Sequence, residues 1–139
     1  MLSVGSAALR NANARPYAVL LADTSIEARQ LLEGALSPLG PQSVTHVAEG
    51  DELERHFFEK GPYDLVVCRA LLGARSALQV VARARSLGRR ASFIVYSSLE
   101  GPWLRVFISD SEGTVLSSRV VSLESLANLA AGMLEARRR

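Results

Sequence analysis

Five polar residues follow apolar runs along the chain: Asp23 with Thr24, then Arg69, Ser97 and Ser118. Each run reads as a strand, and open α/β sheets gather the residues just past their strands' carboxyl ends into one crevice. The chemistry open to these side chains is narrow. Asp23 supplies the single carboxylate, able to ligate a hard cation or pair with a base. Arg69 supplies a positive charge that is permanent at any working pH. A charge-assisted Asp23–Arg69 pair is therefore expected, the alternative being an arginine that points to solvent. Ser97 and Ser118 offer hydroxyls to a small anion, and Thr24 serves equally well as a helix cap. The only histidines, His46 and His56, fall on a predicted strand and a predicted helix. Neither follows a strand's carboxyl end, so no nucleophile and base are placed to meet, and no enzymatic activity is expected.

Composition sets the class. The chain has 139 residues, 48% apolar and 22% charged, enough for one soluble domain with a real core. No apolar run reaches the roughly 20 residues of a membrane helix, so no membrane role is expected and a cytoplasmic location follows. The net charge is +2, and every basic residue except Lys60 is an arginine. The arginines are scattered or gathered at predicted helix ends (Arg83, Arg85, Arg89 and Arg90; Arg137 to Arg139), where they complement the helix dipole. Nucleic-acid binding by this domain is not expected. Cys68, the one cysteine, lies in a buried-strand pattern and reads as a small core residue. Residues 1–15 contain no acid and no long apolar run, and read as a disordered leader. Residues 16–136 form the domain and 137–139 a basic tail.

The elements alternate. Tyr17 to Ala22 reads as a first strand, followed by a capping box with Thr24 as N-cap and Glu27 reaching back. Apolar residues at 28, 31, 32, 35, 36 and 39 mark the helix that Gly40-Pro41 ends. Ser43 to Val47 is a weak edge strand. Asp51 to Lys60 is a helix with Leu53 and Phe57 inward. Leu65 to Cys68 is a wholly apolar central strand, and Arg75 to Leu87 a helix burying Leu78, Val81 and Ala82. Ser92 to Tyr96 and Thr114 to Leu116 are the fourth and fifth strands. Ser122 caps a last helix with Leu123, Leu126, Ala130 and Leu134 on one face. Strands and helices in this order call for a parallel sheet covered on both sides. One segment fits poorly. Gly101-Pro102 should open a short helix, the preferred reading, yet Trp103 to Ile108 is aromatic and β-branched enough for a β-hairpin.

The run Pro62-Tyr63-Asp64-Leu65-Val66-Val67-Cys68-Arg69 resembles the third strand of the response-regulator receiver family of two-component signal transduction. There the strand leads into a phosphate-accepting aspartate, and Arg69 stands in that position. The resemblance extends over 17–136 and implies an α/β, flavodoxin/receiver-like, doubly wound five-stranded parallel sheet, order 2-1-3-4-5, with the fourth αβ unit altered if 102–109 is a strand. By the family's pattern Asp23-Thr24 stand for the acid pair, Ser97 for the phosphate-sensing hydroxyl and Ser118 for the lysine. Arg119 replaces the following proline, and Val115 the switching aromatic. Mg²⁺ is then disfavoured, because one carboxylate remains and Arg69 would repel the ion. The resemblance therefore implies a pseudo-receiver with no cofactor, a phosphorylation-independent signalling module that binds a partner protein or itself. Trp103, Leu104 and Phe107 are the candidate contacts. The alternative is a sensor of a small anion or small molecule in the degenerate pocket.

Overall fold

The computed structural model describes residues 17–109 and 115–137. The expected leader, most of the basic tail and residues 110–114, with the expected start of the fifth strand at Thr114, lie outside them. Four parallel strands build the amino-terminal part of the sheet. β1 (Ala18–Ala22) pairs with β2 (Ser43–Val47) on one side and β3 (Leu65–Arg69) on the other, and β3 pairs in turn with β6 (Ser92–Glu100). A two-residue-per-strand hairpin, β4 (Leu71–Leu72) with β5 (Arg75–Ser76), separates β3 from the next helix.

The helices are α1 (Ile26–Leu36), α2 (Gly50–Arg55), α3 (Ala77–Ser86) and α4 (Leu126–Arg137). The N-cap of α1 is Ser25, one residue later than expected: its hydroxyl accepts from the Ala28 N–H at 3.2 Å, and Thr24 is exposed. α3 also departs from expectation. It buries Ala77, Val80, Val81 and Ala84, while Leu78 is 38% exposed. Its i, i+3, i+4, i+7 stripe is made largely of small residues, which weakens its apolar signal beside Leu78.

Alternation along the strands divides the core in two. Val19 and Leu21, Leu65 and Val67, Ile94 and Tyr96 face α1 and α4, packing with Leu32, Leu36, Leu126, Ala130 and Leu134. Leu20 and Ala22, Val66 and Cys68, Phe93 and Val95 face α2 and α3. Every residue from Leu65 to Cys68 is buried, as a central parallel strand requires.

The fourth unit is where the chain departs from a five-stranded parallel sheet. The preferred helix after Gly101-Pro102 is a strand, β7 (Trp103–Ser109), antiparallel to β6. β8 (Val115–Ser122) then pairs antiparallel to β7, giving a six-stranded sheet of order β2-β1-β3-β6-β7-β8. Gly101 adopts φ 58. Glycine entering the left-handed region first in a two-residue loop fits a tight hairpin turn rather than a helix start. Leu104 and Val106 on β7 complete the core under α4, and Leu104 is fully buried.

Trp103, Arg105 and Phe107 face the opposite side. Trp103 and Arg105 are exposed, Phe107 is half-buried, and Val120, cross-strand partner of Arg105, is 49% exposed. Leu104→Ala should cost about 2–5 kcal/mol of unfolding free energy by urea titration, as large-to-small core changes do. Trp103→Ala should stay within about 1 kcal/mol.

Candidate functional site

Asp23 follows β1 and is 1% exposed. Its backbone N–H donates to the Val47 carbonyl at 3.2 Å, which carries the β1–β2 ladder one residue past the strand. A carboxylate buried to this degree needs donors, and it has them from both chain directions. Oδ1 accepts from the Ser25 N–H at 2.8 Å, a local turn that also sets Ser25 as the cap of α1. Oδ2 accepts from the hydroxyl of Tyr96. Asp23, Arg69 and Tyr96 share one side of the sheet, because each continues the alternation that points Leu21, Val67 and Ile94 toward α1 and α4. Tyr96 is level with Arg69 in the β3–β6 ladder, and its hydroxyl reaches past β3 to β1.

Arg69 approaches the same carboxylate less closely. Its Nη1 lies 4.0 Å from Asp23 Oδ1, beyond hydrogen-bond length, and its side chain is 45% exposed. The expected pair thus survives only as a longer-range attraction, and the tyrosine does the hydrogen bonding. Burial, reinforced by the bond to Asp23, pushes the Tyr96 hydroxyl well above its ordinary range. Burial alone pushes the Cys68 thiol up to about 12, consistent with a core cysteine of low reactivity.

Around the pocket, Arg29 Nη1 donates to the Asp23 carbonyl at 2.6 Å and Arg29 Nε to His46 Nδ1 at 3.3 Å. The other ring nitrogen of His46, Nε2, meets Glu33 at 2.6 Å. With Nδ1 accepting, the ring proton sits on Nε2 and is donated to Glu33. His46 therefore clamps β2 to α1.

The remaining expected residues disperse. Ser97 is half-buried where the β6–β7 register shifts between Tyr96 and Ser98, so it is the extra residue of a bulge at the strand end. Ser118 does not join the pocket. It is exposed on β8 opposite Phe107, and β7 stands between its strand and β6. Three strand spacings, roughly 14 Å, separate β8 from β3. Thr24 is exposed beside the pocket. Of the expected partner contacts, Trp103 is 54% exposed, Phe107 is half-buried and Leu104 belongs to the core.

These residues do not fit Mg²⁺. Both oxygens of Asp23 are engaged by donors, a guanidinium lies 4.0 Å away, and the described residues hold no cluster of three or more His, Cys, Asp or Glu side chains able to bind a metal.

A second concavity, of about 390 Å³, lies between α2 and α3 and is lined by Asp51, Glu54, Arg55, Arg75 and Arg83 among others. Its charges compensate one another. Glu54 takes both Arg75 and Arg83, Arg75 also meets Asp51 at 3.0 Å, and Arg83 lies 4.5 Å over the Phe58 ring. Arg85 donates to the Ala91 carbonyl at 2.9 Å. Much of the arginine cluster at the end of α3 is thus committed to packing and ion pairing.

The residue that sequence reasoning missed is Tyr96. A signal was present: a tyrosine closing an otherwise apolar buried strand must place its hydroxyl on a partner.

No family model and no curated protein sequence matches the chain. Solved structures do match. A signal receiver domain of a putative LuxO repressor protein from Vibrio parahaemolyticus is 16% identical with a TM-score of 0.65, the match covering 89% of this chain and 94% of that one. The signal receiver domain of an HD domain-containing protein from Pseudomonas fluorescens Pf-5 is 23% identical over 58% of this chain and 63% of that one, with a TM-score of 0.50. An uncharacterized protein from Neptuniibacter caesariensis is 13% identical over 88% and 92%, with a TM-score of 0.51. At these identities the likeness is one of fold, and the fold is receiver-like.

Two outcomes separate the forces on Asp23. Tyr96→Phe leaves a buried carboxylate oxygen without its donor and should cost roughly 1.5–3 kcal/mol in urea unfolding, whereas Arg69→Ala should cost under about 1 kcal/mol. Stability should also fall at alkaline pH. Below pH 9 the Cys68 thiol is protonated folded and unfolded alike. Between its ordinary 9.0 and its folded value of about 12, only the unfolded chain releases the proton. The loss should approach about 4 kcal/mol by pH 12 from this group, with Tyr96 adding to it in the same direction. Thermal melts from pH 8 to 11 should show the decline, and Cys68→Ala should lessen it, leaving the part due to Tyr96.

Proposed function

We propose that this chain is a phosphorylation-independent signalling module, a receiver fold that acts by binding protein. The observation that carries the reading is the state of Asp23. Its carboxylate is occupied by the Ser25 N–H and the Tyr96 hydroxyl, while the position of a receiver's phosphate acceptor is held by Arg69. An arginine has no carboxylate to phosphorylate, and a buried tyrosine fills the space beside it. Such a pocket stays in one state, so any output is controlled by the binding event itself.

The binding surface in this reading is the face of β6, β7 and β8 opposite α4. The cross-strand rows there are Ser98–Arg105–Val120 and Glu100–Trp103–Ser122, with Trp103 and Val120 as large exposed apolar side chains. An exposed tryptophan with an arginine in the next row is the kind of pairing in which interface hot spots are enriched. The chemistry requires neither a nucleic acid nor a membrane, and no helix among the described residues is long and apolar enough to cross one.

A second reading, sensing of a small anion, draws on Arg69, whose side chain is 45% exposed and whose nearest approach to Asp23 is 4.0 Å.

Amide NMR of the full chain with Mg²⁺ and beryllofluoride, a phosphoryl mimic, should give no saturable shifts. Saturable shifts centred on Asp23, Arg69 and Ser97 would overturn the reading, and the same shifts with phosphate alone would favour the anion sensor. In affinity capture, Trp103→Ala should weaken recovery of a protein partner by about tenfold or more, whereas Arg69→Ala should leave it unchanged.

A further inference from the structure

The sheet ends at β8, and among the described residues no strand pairs with its outer side. Half of the backbone groups of an antiparallel strand at a sheet edge point away from its neighbour. β8 runs from Val115 to Ser122 with no proline, and Arg119 is its only charge. It therefore lacks most of the devices that protect natural edges from pairing, and such edges take up another extended strand. Ser118, Arg119 and Val120 are all exposed, Val120 by 49%.

We infer that a second copy of this chain fills that position, β8 pairing antiparallel with its own counterpart about a twofold axis normal to the sheet. The inference rests on the reading of the chain as a protein-binding module and adds to it a second copy at the β8 edge, beside the Trp103 face. What selects a second copy is the register. Residues directly opposite in a twofold pair must lie on the same face of the sheet.

The β7–β8 ladder shifts register between Ile108 and Ser109, leaving 117–122 as the regular stretch of β8. Centring the axis on Arg119 sets two arginines face to face, which is destabilising. Centring it on Ser118 runs the pairing into the irregularity. Centring it on Val120 does neither. Val120 meets Val120, Arg119 meets Val121, and Ser118 lies opposite Ser122, whose hydroxyl caps the turn at Ser125. The exposed valine is thereby covered by its own copy, and the two sheets become one of twice the width.

Sedimentation velocity of the full chain should give twice the mass of one chain. Val120→Lys and Val120→Asp each place like charges on the axis at an exposed position, so each should remain folded and associate more than about tenfold more weakly. Mixing the two variants in equal amounts should restore the dimer. Val120→Cys should form an intermolecular disulfide under mild oxidation, with the buried Cys68 as the one native thiol, and Trp103→Cys, off the axis, should not. A monomeric wild type, or a dimer unaffected by both charges at Val120, overturns the inference. Capture of a different protein by a chain that stays monomeric removes the self-pairing alone. Binding of the phosphoryl mimic at Asp23 removes the parent reading and leaves the dimer result standing.

Discussion

A carboxylate taken out of water must be matched, and the Asp23 side chain imposes that requirement on three strands and a helix. The backbone turn to Ser25 supplies one donor and starts α1. Tyr96 supplies the other across β3, so β1 and β6 are tied without being neighbours in the sheet. Arg69 adds an opposite charge at longer range. The same tyrosine ring packs into the core under α1 and α4, so packing holds its hydroxyl in place. The polar bond and the apolar contact reinforce each other: the ring's burial excludes water from the bond, and the bond satisfies the only polar atom the ring brings inside.

Beyond Tyr96 the register shift at Ser97 leads β6 away from a parallel ending and into a hairpin. In a receiver-like sheet this is where a helix would leave the plane and the last strand would return beside its predecessor. Here the intervening segment stays in the plane as β7. Two results follow from the one substitution. Ser118 falls within β8, on the far side of β7 from β6, which removes it from any shared chemistry with Asp23. One face of the last three strands also loses the helix that would have lain on it, which leaves Trp103 and Val120 in water. The placement of Ser118 and the exposure of Trp103 and Val120 have a common cause in the backbone.

Much of this was legible in the residues. The central strand 65–68 and the helical faces inward at Leu53 and Phe57 and at Leu126, Ala130 and Leu134 follow from periodicity and turn chemistry, and the order of the parallel strands from the resemblance to receivers. Arg69 and Asp23 end on the same side of the sheet, but 4.0 Å apart rather than in the close pair expected. The errors have physical sources. Thr24 and Ser25 are both good caps, and only the geometry of the Asp23 turn decides between them. The glycine of Gly101-Pro102 carries the positive φ of a hairpin turn, a role hidden by proline's habit of opening helices. Leu104 and Trp103 are equally apolar by type, and a strand's alternation sends one to the core and the other to solvent. Ser118 was placed by counting along the chain, a count that holds only if a helix intervenes.

Tyr96 also sets an order of completion. Ribosomes deliver β1, β2 and β3 first, and their mutual pairing needs nothing later in the chain. Asp23 emerges with them, yet one of its two hydrogen-bond donors lies 73 residues further on. Until β6 arrives, the carboxylate at the end of β1 must remain hydrated, which keeps that end of the nascent sheet open to water. β6 closes it by pairing with β3, and β7 follows β6 through a two-residue turn, a short connection that loses little chain entropy on closure. The burial of Asp23 at the end of β1 thus depends on a residue far along the chain, and the amino-terminal strands are complete only with β6 beside them.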